Sequence, residues 1–159
     1  MGFSPSSMQL TSSAFSGHGT IPSKHTGESV DVSPELSWID APEGTKAFAI
    51  ICHDPDAPLV SPKGHYGFVH WVYYNIPASV TSLAEADNSY TNGVTDFGAN
   101  EYGGPMPPNG HGTHHYYFWI LALDSDAEFE AGLSMYEFLE KAEPHIIGMN
   151  RLIGTYSRD

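Results

Sequence analysis

Three stretches of this chain are nearly unbroken apolar runs of strand length: Ala47 to Cys52, Phe68 to Asn75 and Tyr116 to Leu123, the last two dense in aromatic residues. Runs of that length bounded by turn residues predict central strands with little exposure on either face. The boundaries are Pro and Gly clusters at Asp54 to Pro58, Ile76-Pro77 and Gly103 to Gly112. A further strand is predicted within Val32 to Trp38, where Pro34 biases Ser33 away from helical backbone; a turn follows at Ala41-Pro42-Glu43-Gly44. Met8 to Phe15 supplies an edge strand. The Ser, Gly and Thr around it predict a fraying end, over about residues 1–8.

Only the last quarter has helical signals. Ser134 is a natural cap, Glu137 three residues on completes a capping box, and Leu133 with Phe138 forms a hydrophobic staple. Pro144 ends that helix and is placed to open another, in which Ile146, Met149 and Ile153 recur on one face before Gly154. Strands first and helices last predict a sheet-based core with a helical flank. No βαβ alternation or fixed repeat is present. The 159 residues suit a single domain, 1–159, and 40% apolar with 13% aromatic content excludes disorder.

Charge narrows the partners. Six Lys and Arg against 19 Asp and Glu leave the chain at −13, which repels phosphate backbones and anionic lipid surfaces; nucleic acid and membrane insertion are not expected. Asp124 to Glu143 holds seven of the acids and one Lys, and reads as a solvated face. Cys52, the one cysteine, follows Ile50 and Ile51 and reads as a small buried hydrophobe. Met1 to Leu10 has neither a basic nor an apolar leader segment, and Tyr116 to Leu123 is far short of the roughly 20 residues that span a bilayer, so a cytoplasmic location is expected. Gly2 with Ser6 fits a short acylation pattern.

The unusual chemistry is concentrated in two loops and one strand. Asp54-Pro55-Asp56-Ala57-Pro58 presents two carboxylates on stiffened backbone directly after an apolar run. Tyr102 to Tyr116 is a Pro- and Gly-rich loop leading into another, and such stiffness limits the entropy lost on holding a ligand. His70 interrupts the aromatic strand; strict alternation puts it on the face of Phe68, Val72 and Tyr74, where a buried imidazole needs a partner such as Asp54 or Asp56. His53, His65, His70, His111, His114 and His115 raise the question of a metal. Without a His-x-His or a Cys pair, and with Glu101 as the one nearby Glu, no metal site is expected. No nucleophile elbow, dinucleotide fold or phosphate loop is present, and no cofactor is expected.

Val32-Ser33-Pro34-Glu35-Leu36-Ser37-Trp38, Asp54 to Pro58, His70-Trp71-Val72 with Asn75-Ile76-Pro77, Asp96-Phe97-Gly98, Tyr102 to Pro105, Pro107-Pro108, His114, Tyr116 and Leu152 to Tyr156 occur in one order along the chain. In that order they resemble the phosphatidylethanolamine-binding proteins, which include the Raf kinase inhibitor proteins, and especially the short bacterial and archaeal kind. The resemblance covers the chain end to end. It implies an all-β, Greek-key antiparallel β-sandwich with one or two short C-terminal helices and a small-anion pocket at one end. The implied pocket residues are Asp54 and Asp56, the loop rim Ala57 and Pro58, the strand histidine His70, the closing Pro107 and Pro108, and His114 with Tyr116. His115 and Asn109 replace residues that are basic or small in the family, which makes the mouth less positive.

The expected role is binding of a small anion such as phosphate, a carboxylate or a phosphorylated metabolite, with Asp54 orienting His70 and the loop amides and Tyr116 hydroxyl donating to the ligand. The resemblance also implies an alternative role, inhibition of a kinase or serine protease by direct contact, and, as a partner, a second copy of the chain in a homodimer. A third class is an enzyme in which an Asp-His pair acts as general base. The resemblance itself implies no general catalytic activity.

Overall fold

The structure is a computed structural model that describes residues 5–60 and 66–159; Gly2 and His65 lie outside these. Two antiparallel sheets make a sandwich. The smaller has strands in the order β1 (Gln9–Thr11), β2 (Leu36–Ile39) and β5 (Ser82–Leu83). The larger runs β6 (Thr91–Asn92), β4 (Phe68–Pro77), β3 (Ala47–Asp54), β7 (His114–Leu123) and β8 (Ile146–Tyr156). After β4 the chain visits the small sheet at β5 and returns, so that β7 lies against β3 in a long Greek-key connection.

β3 is at the centre and its composition explains why. Phe48, Ile50 and Cys52 point into the core between the sheets with Leu36, Trp38, Trp71 and Phe118. Ala47, Ala49 and Ile51 point to the opposite face, where the helix α1 (Met135–Ala142) and the loop before it cover the sheet with Leu133, Phe138 and Ala142. With apolar groups wanted on both faces, a continuous apolar run is the pattern this strand must have. Burial raises the Cys52 thiol pKa well above its ordinary value, so it stays protonated.

The helix begins as its sequence signals predict. Ser134 Oγ accepts from the Glu137 amide and the Glu137 carboxylate accepts from the Ser134 amide. Eight residues are too few for a helix to hold alone. Phe138 anchors it, stacked on Tyr74 at 4.8 Å and edge-on to Phe129 at 5.3 Å.

One expectation is corrected. The segment after Pro144 is a strand, not a second helix: a 3-10 turn at Glu143–His145 leads into β8, which pairs with β7 from Leu123↔Ile146 to His114↔Tyr156. Ile146, Met149 and Ile153 match a helical spacing by coincidence. The strand was hidden because its inward positions include residues with little or no side chain. A Cβ on Gly154 would lie 2.6 Å from Ile21 Cγ1 and 2.8 Å from Phe15, so the glycine lets the N-terminal segment pack directly on the strand.

Residues 5–8, the described part of the segment expected to fray, also lie against β8: the Ser6 amide donates to Met149 O at 2.8 Å, and Met8 is completely buried. Asn150 Nδ2 also donates to Ser6 O at 3.1 Å.

Gly154→Ala is expected to lower stability by about 1–3 kcal/mol through overpacking against Ile21. Urea unfolding of the variant and parent measures it, and equal midpoints would show that the segment gives way freely.

Candidate functional site

The apolar run of β3 ends at Cys52, and two residues on, the side chain of Asp54, 2% exposed, must find partners inside the protein. His114, the first residue of β7 and 3% exposed, donates from Nδ1 to Asp54 Oδ2 at 2.7 Å. The other oxygen, Oδ1, accepts from the Asp56 amide at 2.8 Å and folds the Asp-Pro-Asp segment into a turn. His114 Nε2 lies 2.7 Å from His111 Nδ1, so an Asp54-His114-His111 array runs from the end of β3 into the following loop. The expectation that Asp54 orients His70 is therefore corrected: Asp54 orients His114.

His70 is held differently, and by a feature that alternation does not reveal. Cys52 pairs with Trp71 and His53 with Val69, which leaves His70 as the extra residue of a β-bulge. Beyond the bulge the faces switch. Trp71 and Tyr73 join the inter-sheet core, while Val72 and Tyr74 join the helix side. His70 thus keeps the company of Phe68, ring centroids 4.9 Å apart, but not of Val72 and Tyr74 as strict alternation predicts. Its peptide and ring are both tied to Gly103: the Gly103 amide donates to His70 O at 3.0 Å, and His70 Nδ1 donates to Gly103 O at 2.7 Å. The next residue, Gly104, must lack a side chain, because a Cβ there would fall 2.0 Å from His25 O.

These elements surround a cavity of about 350 Å³. Asp54, Ala57, Pro58, His70, Pro107, Pro108, His114 and Tyr116 all line it. Asp56 does not: its carboxylate turns outward and takes the backbone N–H and the Nδ1–H of His115, both at 2.7 Å, pinning the turn to β7. Sequence reasoning left out the apolar collar. Leu59, Phe68, Phe97 and Met106 complete the wall with His111. Phe97 packs edge-on against Phe68 at 4.7 Å and His70 at 5.5 Å, and the Asp96-Phe97-Gly98 motif was the signal that could have placed it there. The roof loop is tied to the chain end, with Arg158 Nη1 donating to Pro107 O at 3.1 Å and the Gly110 amide to Arg158 O at 2.9 Å.

The polar character of this cavity is lopsided. Tyr116 Oη is fully buried and has no hydrogen-bond partner among the described residues. Burial, with Asp54 nearby, raises its pKa far above the ordinary tyrosine value, so the hydroxyl keeps its proton. Burial lowers the His70 pKa, against the opposing pull of the Gly103 carbonyl and Asp54, so the ring is neutral at pH 7. Loop amides, expected to serve a ligand, are largely committed elsewhere: Asp56 N to Asp54, Leu59 N to Ala57 O, His111 N to Pro108 O, and Gly110 N to Arg158 O. Pro58, Pro107 and Pro108 have no N–H at all. Among the described residues no group of three His, Cys, Asp or Glu is arranged to hold a metal ion, and no helix is long and apolar enough to cross a membrane.

A histidine whose folded pKa lies below its unfolded value of about 6.5 binds fewer protons in the native state. Its contribution is complete above pH ~6.5 and is lost as pH falls through that window, by at most about 1.4 kcal/mol per pH unit. Urea unfolding between pH 7.5 and 5 should therefore show a steeper acid loss in the parent than in His70→Gln. Parallel curves would show that His70 is not held neutral.

A family description for phosphatidylethanolamine-binding protein matches residues 11–157. A UPF0098 protein of Methanothermobacter thermautotrophicus is 39% identical over 158 residues, covering 95% of this chain and 99% of that one. Among solved structures, a putative phosphatidylethanolamine-binding protein homologue from Chlamydia trachomatis, CT736, has a TM-score of 0.87 at 37% identity, covering 96% of this chain and 98% of that one. Escherichia coli YbcL, reported as a new member of the mammalian family, also has a TM-score of 0.87, at 30% identity, covering 97% and 100%.

Proposed function

The chain belongs to the phosphatidylethanolamine-binding protein family, and from that premise we propose that its cavity binds a small oxyanion, a phosphate, a carboxylate or a phosphorylated metabolite. The observation that carries this reading is the Tyr116 hydroxyl: fully buried, protonated, and without a partner among the described residues, in the wall of the 350 Å³ cavity. A buried hydroxyl left unpaired costs about 1–3 kcal/mol, which a ligand oxygen recovers. His70 and His114 stand beside it, with ring centroids 5.2 and 6.4 Å from that of Tyr116. The apolar collar of Leu59, Phe97 and Met106 at the mouth suits an anion that carries a carbon substituent.

General-base catalysis is a second reading, favoured by the Asp54-His114-His111 array, since a carboxylate behind an imidazole fixes its tautomer and orientation. Turnover of any phosphate or carboxylate ester that His111→Ala abolishes would select it over simple binding.

Titration with inorganic phosphate, followed by NMR of the histidine and tyrosine rings, tests the binding reading. Saturable shifts at His70, His114 and Tyr116 are expected, and Tyr116→Phe should weaken affinity about tenfold, the worth of one hydrogen bond to a charged group. No saturable shift, or equal affinity in the two proteins, overturns it.

A further inference from the structure

Resting on the oxyanion reading, the geometry points to a narrower ligand: we infer that the cavity takes a phosphomonoester in its singly protonated form, with the ligand's own P–O–H donating to His70 Nε2, and that it discriminates against phosphodiesters and sulfate esters.

The Gly103 carbonyl, which can only accept, takes the Nδ1 proton of His70 at 2.7 Å. In a neutral ring this leaves Nε2 as a lone pair, the nitrogen available to an occupant of the cavity. An anion stripped of all its protons offers only acceptors and meets that lone pair with repulsion. A phosphomonoester monoanion carries one hydrogen of its own, and can donate to His70 while accepting from Tyr116 Oη with another oxygen.

The rest of the wall supports the same complementarity. Tyr116 is one donor; the amides of Asp56, Leu59, Gly110 and His111 are already bonded within the protein, and three lining residues are prolines. Among the described residues the cavity wall has no lysine or arginine. A site this poor in donors cannot coordinate a bare dianion, whose oxygens would remain unpaired and whose charge would face a chain at −13. Discrimination by one missing hydrogen is strong, because the buried acceptor is left unpaired when the wrong ligand enters.

The titratable groups packed around His70 are Asp54 and His53 on β3, His114 and Tyr116 on β7, His111 in the roof loop, and Tyr102 and Asp96 in the segments that flank β4. Asp54 is engaged by His114 and the Asp56 amide, His53 donates to Tyr66 O, Asp96 accepts from the Val69 amide, and Tyr102 donates to His25 O. None of these partners supplies a second proton to His70. His111 is the outer end of the array, and its Nε2 is likewise a lone pair when both rings are neutral and Asp54 accepts from His114.

Methyl phosphate, dimethyl phosphate and methyl sulfate are similar in shape, and at pH 6 all three carry about one charge or little more; only the first keeps an acidic hydrogen, which it loses above about pH 6. Calorimetric titration of the intact protein at pH 6 should show methyl phosphate binding at least about tenfold more tightly than the other two. Its affinity should then fall toward tenfold per pH unit above the ligand's own transition. In His70→Gln the amide can turn its NH₂ toward the ligand, and the gap between phosphate and sulfate esters should narrow to a few-fold, with folding checked by thermal unfolding. Equal affinity for the three ligands in the parent overturns the inference and leaves oxyanion binding intact. So does a parallel rise for all three as pH falls, which would mean a protonated His70 donating to any anion. If none of the three binds, the oxyanion reading itself fails.

Discussion

Everything in this molecule is arranged around the need to keep β3 dry on both faces. A strand with Phe48, Ile50 and Cys52 on one side and Ala47, Ala49 and Ile51 on the other has no solvent face, so it must lie inside a sheet that is itself covered twice. The small sheet covers one side, and α1 with its preceding loop covers the other. The same burial dictates what happens at the strand's end. Asp54 is the first ionisable side chain after the apolar run that is fully enclosed, and a carboxylate there persists only because His114 and the Asp56 amide meet it. The site is thus the point at which the central strand runs out of hydrophobic partners.

Two kinds of constraint hold the cavity. Along β7 and the Asp-Pro-Asp turn the ties are charged or charge-assisted: Asp54 to His114 within, Asp56 to His115 without. Around His70 they are mostly backbone, with Gly103 exchanging two bonds with the histidine and the Asp96 side chain taking the Val69 amide next to the bulge. The first set sets charge and proton positions; the second sets shape. Separating the two lets His70 stay uncharged 5.2 Å from a tyrosine that is itself kept protonated.

Much of this was legible in the amino-acid sequence, and for physical reasons. The apolar runs are strands because burial on two faces leaves no other pattern, and the capping box works as written because it depends on neighbours three residues apart. Stiff loops and an interrupted strand mark the Asp54–Pro58 turn, His70 and the loop before Tyr116, but the individual pocket residues were named by the family resemblance, which included the outward-turned Asp56 and left out Leu59, Phe68, Phe97, Met106 and His111. What escaped notice depends on contacts between distant segments. β8 carries glycines where the N-terminal segment lies against it, so its apolar pattern is diluted to the point of mimicking a helix. The partner of Asp54 turns on loop conformation, and two histidines were within reach. The outward turn of Asp56 follows from the proximity of His115, which lies 59 positions further along the chain.

The bulge in β4 carries a consequence of another kind. Because His70 is surplus to the pairing, the imidazole's place is encoded by residue count as much as by residue type. Swapping the side chain leaves the pleat intact, whereas excising this one amino acid between Val69 and Trp71 would iron the pleat flat while leaving Trp71 toward the inter-sheet core and Val69 toward the helix. Anyone transplanting this pocket onto another sandwich must therefore carry the irregularity along with the functional groups, because a regular strand with the same two faces has no position for the imidazole.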